Sequence, residues 1–223
     1  MIALAHCFEP AQSVCVAVES HDLADLARIC EPEVNLCLVH RHPESELQSF
    51  VTELLRSPQE IEMSTVIRFE HFDFSALLQD VKDLPGHGVW WRDVARLTCA
   101  FCDLFETERA GLRLRTLDHP MCPRFHVDYV PCRLVCTYGG IGTQWLPDDS
   151  VDRTKLGPGA KGLPDEASGL ILDEFAIRTM PAYGVGLMKG EKWEGNEGHG
   201  AVHRSPKLSP SAPRRLLLTL DAL

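Results

Sequence analysis

From Leu112 onward the spacing of apolar residues changes from the period of a helix to the two-residue period of a strand, and this switch constrains the fold more than any single motif. Before it, Leu47, Phe50, Val51, Leu54 and Leu55 recur at helical spacing behind Pro43-Glu44-Ser45-Glu46. Residues 74–81 and 89–105 repeat that spacing, the second ending near Gly111, while 35–40 and 64–69 read as short strands. After it, 112–117 alternates, 133–138 is compact and apolar, and 143–146 follows the Gly139-Gly140-Ile141-Gly142 turn. Further strands are expected at 170–178, 182–188 and 216–220, with a Gly/Pro-rich loop over 157–169. Helices followed by a run of strands predict an α+β protein in which N-terminal helices buttress a β-sandwich or barrel. At 223 residues the expectation is one domain over 1–223, mainly helical in 1–111 and strand-rich in 112–223.

Charge narrows the partners. A net charge of −10 argues against nucleic acid or an anionic membrane as partner, since either needs a positive surface. No window offers eighteen uninterrupted apolar residues, and Met1-Ile2-Ala3-Leu4-Ala5-His6 lacks the positive region and apolar run of a secretory signal. A cytoplasmic location follows as the expectation, and the nine cysteines are read as reduced. The Cys99-Ala100-Phe101-Cys102 pair lies on a helix and reads as core rather than as half a zinc site.

The chemistry concentrates in Arg124-Phe125-His126-Val127-Asp128 and Val202-His203-Arg204-Ser205-Pro206. On an extended strand His126 and Asp128 project from the same side. His203 supplies a second imidazole. Two histidines and one carboxylate with open coordination positions form the facial triad of non-haem Fe(II) enzymes. Downstream, Arg214-Arg215 enters an apolar strand, and adjacent strand residues face opposite sides, so alternation leaves open which arginine points inward.

The order of histidine, Ser/Pro-bearing loop and arginine over 112–220 resembles the Fe(II)- and 2-oxoglutarate-dependent oxygenases, particularly the phytanoyl-CoA-hydroxylase-like branch. That resemblance implies a double-stranded β-helix of jelly-roll or cupin type, with His126, Asp128 and His203 holding Fe(II). It also implies an arginine that binds the distal carboxylate of 2-oxoglutarate, a task suited to a planar guanidinium. Arg214 is the first choice and Arg215 the second. The implied activity is hydroxylation of a small molecule or a protein side chain, coupled to decarboxylation of 2-oxoglutarate. Over nearly the whole chain, Trp90-Trp91-Arg92-Asp93-Val94, 121–128 and Gly142-Thr143-Gln144-Trp145-Leu146 are similar to a bacterial family of uncharacterised domains often encoded near zinc-homeostasis genes. This second resemblance implies an alternative, a zinc-binding accessory protein without oxygenase activity. In it Cys122, Cys132 or Cys136 adds a thiolate to the same triad.

Other residues enter as supports. Arg124 and Arg133 flank the triad and are candidates to orient Asp128. Either Thr137 or Tyr138, but not both, can point inward. The glycine-rich 189–200 stretch is a candidate cover for a substrate, and Trp145 and Trp193 are candidates for its wall. His40, His42, His87, His119 and His199 are assigned to no metal.

Overall fold

The computed structural model describes residues 14–223. The reading of 1–6 as lacking a signal, and Cys7, lie outside the described residues. A seven-stranded sheet runs in the order β1-β2-β8-β5-β10-β4-β3, and a three-stranded sheet in the order β7-β6-β9. In the large sheet the strands are β1 (Val16–Ser20), β2 (Val34–Val39), β3 (Glu62–Arg68), β4 (Arg109–Leu117), β5 (Cys132–Gly139), β8 (Val185–Lys189) and β10 (Arg215–Asp221). The small sheet holds β6 (Gln144–Trp145), β7 (Arg178–Thr179) and β9 (His203–Arg204). Only β1 and β2 pair in parallel among these ladders. A parallel pair needs a crossover, which the 3-10 helix Leu23–Cys30 provides.

Two helices cover one face of the large sheet, α1 (Ser45–Arg56) and α2 (His87–Leu104). Each buries one stripe: Leu47, Phe50, Val51 and Leu54 from α1, and Trp90, Val94, Leu97 and Phe101 from α2. These meet Leu112, Leu114, Leu134, Cys136, Leu216, Leu218 and Leu220 in the main core. Burying one such side chain is worth about 1.5–3 kcal/mol, so Phe50→Ala is expected to cost about 3–5 kcal/mol with its cavity. α2 starts at Gly86, whose φ of +85° and approach to the Glu46 carbonyl, 2.2 Å from where a Cβ would stand, both require glycine.

The other face of the large sheet turns toward the small sheet. Leu36, Leu38, Leu117, Val135, Met188 and Leu217 meet Trp145, Met180 and Ala201 there. Strand β10 is therefore buried on both faces, which explains its unbroken Leu216-Leu217-Leu218 run.

Three sequence expectations change. Within residues 14–111 the chain does more than buttress, since β1, β2 and β3 join the sheet of the second half. The helix expected at 74–81 is two 3-10 turns, Phe74–Ala76 and Gln79–Val81, interrupted at Leu78 with φ of +55°. The strand expected at 170–178 is broken by the turn Glu174–Ala176, where the Asp173 side chain accepts the Phe175 N–H at 2.9 Å and so competes with ladder pairing.

Candidate metal centre

His126 and His203 oppose each other in an isolated antiparallel bridge, each backbone N–H donating to the other's carbonyl at 3.0 Å. On its other edge His203 pairs with Trp145 of β6, so its backbone is held on both sides. The bridge brings the two imidazoles to 4.6 Å between centroids. Asp128 enters the same space: Oδ1 lies 3.6 Å from His126 Nε2, and Oδ2 lies 3.2 Å from His203 Nε2. One ligand atom from each of the three lies within 4.8 Å of the others.

Hydrogen bonding at the far side of each ring fixes what these atoms are. His126 Nδ1 is 2.9 Å from the Arg124 carbonyl and His203 Nδ1 is 3.0 Å from the Ala201 carbonyl. A carbonyl only accepts, so each Nδ1 carries the hydrogen and each neutral ring turns an Nε2 lone pair toward Asp128. Two lone pairs and a carboxylate directed at one point repel unless a cation or a proton lies between them. Asp128 Oδ2 is buried and receives no aligned hydrogen bond among the described residues, although His203 Nε2 is close. Close approach without donation is the geometry of shared ligation rather than of hydrogen bonding. The donor set suits a divalent transition metal.

The electrostatics agree. Burial alone would raise the Asp128 pKa, yet contacts with His126, His203 and Arg133 hold it well below the usual carboxylate range. Burial alone would lower the His126 pKa, but Asp128 and the Arg124 carbonyl outweigh it and the net shift is upward.

Arg133 orients the carboxylate. Its Nη1 lies 2.7 Å from Asp128 Oδ1, while its Nε and Nη2 donate to Asp221 at 2.5 and 3.0 Å. Arg113 also contacts Asp221. Oδ1 is thereby shared between Arg133 and the His126 side, and Oδ2 is left toward His203. Arg124 does not share this role and pairs instead with the Leu163 carbonyl and Asp165. Buried Asp165 accepts the Phe125 N–H at 2.7 Å and Arg204 Nη1 at 3.2 Å, and the Arg204 guanidinium lies 4.3 Å from the Phe125 ring centroid. The residues next to both histidines are thus tied to one carboxylate.

The start of the 189–200 stretch braces the segment that carries Asp128. Gly190, Glu191 and Lys192 donate backbone N–H groups to the carbonyls of Pro131, Asp128 and Val130. A Cβ at Gly190 would stand 2.1 Å from the Val130 oxygen, so only glycine permits this approach. Trp145 is buried between the sheets, whereas Trp193 packs against Phe105 and Lys189 in the helix-side core.

The two arginines separate cleanly. Arg214 donates to the backbone carbonyls of Leu55, Ser57 and Gln59 and lines a cleft of about 650 Å³ with Glu60, Arg115 and His119. That cleft includes none of His126, Asp128 and His203. Arg215, 1 % exposed, lies on the β10 face that turns toward the small sheet. Its Nη2 donates to Thr137 Oγ1 at 3.0 Å and Thr143 Oγ1 at 3.1 Å, while Nε and Nη1 have no partner among the described residues. Burial without a counter-ion pushes its pKa down to about 10. Because the helices cover the Leu216–Leu218–Leu220 face, Arg215 is the member of the pair that points between the sheets, and Arg214, the first choice, lies away from the triad. Thr137 shares that inner face, and Tyr138 points the other way, donating to Asp93 at 2.8 Å.

Strand alternation also removes two cysteines from the centre. Cys132 and Cys136 lie in the helix-side core, on the face opposite Arg133 and Val135. Cys122 is exposed and not in the ligand group. Asp165 and Asp221 were invisible to sequence reasoning, because the residues each one holds are far away along the chain.

The fold and site define a mixed α+β protein with two histidines and one carboxylate converging on one point between elements of two sheets. Residues 20–221 match the family model described as "Protein of unknown function (DUF1826)", and the chain belongs to that family. No curated protein matches significantly. Among solved structures, it is similar to a dioxygenase for auxin oxidation from Arabidopsis thaliana bound to 2-oxoglutarate, at 8% identity and a TM-score of 0.49, covering 94% of this chain and 92% of that one. It is also similar to a prolyl-4-hydroxylase from Pseudomonas putida, at 11% identity and a TM-score of 0.44, covering 89% and 96%. No described helix is long and apolar enough to cross a membrane.

Proposed function

We propose that this protein is an Fe(II)- and 2-oxoglutarate-dependent oxygenase, a single domain whose two sheets form a double-stranded β-helix. The observation that carries the reading is the facing of the two Nε2 lone pairs onto the Asp128 carboxylate, His203 toward Oδ2 and His126 toward Oδ1. The site would hold iron through His126, Asp128 and His203, three protein ligands that leave open positions for other groups. When bound, that iron supplies the redox chemistry that couples 2-oxoglutarate decarboxylation to hydroxylation.

The chain's own residues supply binding and orientation. Arg215 offers two unpaired guanidinium donors in a water-poor interior, which suits a bidentate salt bridge to the distal carboxylate of 2-oxoglutarate. Thr137 and Thr143 hold the guanidinium in place, and Thr143 stands two residues before Trp145, the cross-strand partner of His203. An unpaired buried cation is costly, so the co-substrate's charge relieves a penalty that the free protein carries. The substrate hydroxylated is a small molecule or a side chain.

The test is succinate release from 2-oxoglutarate by protein purified without oxygen and loaded with Fe(II), together with direct titration of 2-oxoglutarate. Wild type should bind both and release succinate, and Arg215→Ala should keep iron and lose 2-oxoglutarate affinity. Absence of 2-oxoglutarate binding by iron-loaded wild type would sink the proposal.

A further inference from the structure

A second constellation lies outside the triad. Cys15, immediately before β1, meets Asp148 on the turn after β6 and His199 in the loop before β9. One ligand atom from each lies within 4.8 Å of the other two. The three come from segments far apart in sequence, so no local turn geometry explains their meeting.

The surroundings leave these atoms available. Arg153 takes Asp148 Oδ1 through Nε at 2.7 Å and Nη2 at 2.5 Å, and Oδ2 is left facing the Cys15 backbone N–H at 2.9 Å and His199 Nδ1 at 3.9 Å. At 3.9 Å the imidazole and carboxylate do not hydrogen-bond. His199 Nδ1 is buried and has no partner among the described residues. Asn196 gives a second, independent sign. It is 4 % exposed, its Oδ1 accepts from Cys15 Sγ at 3.7 Å, and its Nδ2 has no partner among the described residues. A half-turn of this amide would direct Nδ2–H at the sulfur and satisfy the orphaned donor, provided the sulfur is a thiolate.

We infer that Cys15, Asp148 and His199 form a second metal site, suited to zinc, with Asn196 donating to the bound thiolate. A thiolate, an imidazole and a carboxylate are zinc ligands, and three protein ligands leave the fourth tetrahedral position to water. On binding, the metal–sulfur bond replaces the sulfur–hydrogen bond and the proton leaves to solvent. Arg153 plays toward Asp148 the part that Arg133 plays toward Asp128, occupying one oxygen and aiming the other. The site joins three segments that the sheets leave separate: the start of β1, the turn after β6 and the loop leading into His203. It does not depend on the oxygenase reading.

The test is titration of chelator-stripped full-length protein with Co(II), whose thiolate-to-metal charge-transfer band reports a sulfur ligand. The triad contains no sulfur, so wild type separates the two sites. The expected result is the band in wild type and in the His126→Ala/His203→Ala double variant. Cys15→Ser should abolish it, and His199→Gln should weaken Co(II) binding by at least about tenfold. Loss of one equivalent of bound Zn(II) in Cys15→Ser, with the triad's equivalent retained, is the matching stoichiometric result. The His199 variant changes a partly exposed side chain, so it serves if Cys15→Ser does not fold. Absence of the band in wild type, or its persistence in Cys15→Ser or undiminished affinity in His199→Gln, overturns the inference.

Discussion

His126 and His203 are held opposite each other by their backbones, through two reciprocal hydrogen bonds of 3.0 Å, and not by their side chains. Removing an imidazole therefore leaves the bridge intact. The His126 side chain is also one-third exposed, so its packing contribution is small. His126→Ala is expected to change metal-free stability by less than about 1 kcal/mol. Fe(II) is expected to raise the Tm of wild type, and that rise should disappear in the same variant. Thermal unfolding with and without metal measures both, and a retained metal-induced rise would remove His126 from the ligand set.

Arg215 poses the opposite case, a group that the proposed function requires and stability does not. Its buried guanidinium has two hydroxyl partners and no carboxylate. Arg215→Met keeps the length of the stem and removes the charge. Metal-free Arg215→Met is expected to be more stable than wild type by about 1–2 kcal/mol, from the range seen when buried charges give way to apolar side chains. It should gain nothing from 2-oxoglutarate, whereas wild type should be stabilised by it. Urea unfolding in the two conditions separates these effects, and a loss of stability in the metal-free variant would show that the threonines satisfy the charge.

The contrast between the two arginines shows where sequence reasoning stopped. α1, α2, β2, β4, β5, β8 and β10 were legible because each carries an apolar stripe or an unbroken apolar run, and β3 through its strand formers Thr65, Val66 and Ile67. β1 was not, being an edge strand with one buried residue, and neither was β9, which is only His203 and Arg204. Alternation showed that Arg214 and Arg215 face opposite ways, but which way is inward depends on the side the helices cover. The grouping of His126, Asp128 and His203 was implied by the family resemblance and not by spacing, which could not show that they converge, and the bridge between the two histidines joins residues with no local signal. His199 read as an isolated histidine because Cys15 and Asp148 reach it only through the fold.

The cysteines give a check on which face of β5 is closed. Burial pushes the Cys37 and Cys136 thiols up to about 12 and that of Cys132 upward as well, so all three stay protonated and unreactive in mildly alkaline buffer. Cys30 and Cys122 are exposed. Brief iodoacetamide treatment of the native protein should label Cys30 and Cys122, and label Cys37, Cys132 and Cys136 only after denaturation. Peptide mapping by mass spectrometry reads the pattern. Rapid native labelling of Cys132 or Cys136 would mean that the helix-side core is open, and would return those thiols to the pool of possible metal ligands.

Arg133 couples the centre to the sheet, since one guanidinium serves Asp128 and Asp221 together. Arg133→Met leaves Asp221, 2 % exposed, with Arg113 as its remaining cation and frees Asp128 to rotate. A stability loss of about 2–4 kcal/mol is expected, somewhat below the cost of a fully orphaned buried charge. Metal affinity at the triad should fall about 10–100-fold. Arg133→Lys distinguishes the two roles. Its single ammonium restores a cation near Asp221 but cannot present the fork that reaches both carboxylates, so stability should recover in part while metal affinity stays low. If the lysine variant restores affinity along with stability, Arg133 acts on the centre only through the fold, and orientation of Asp128 must come from its backbone bonds to the loop after β8.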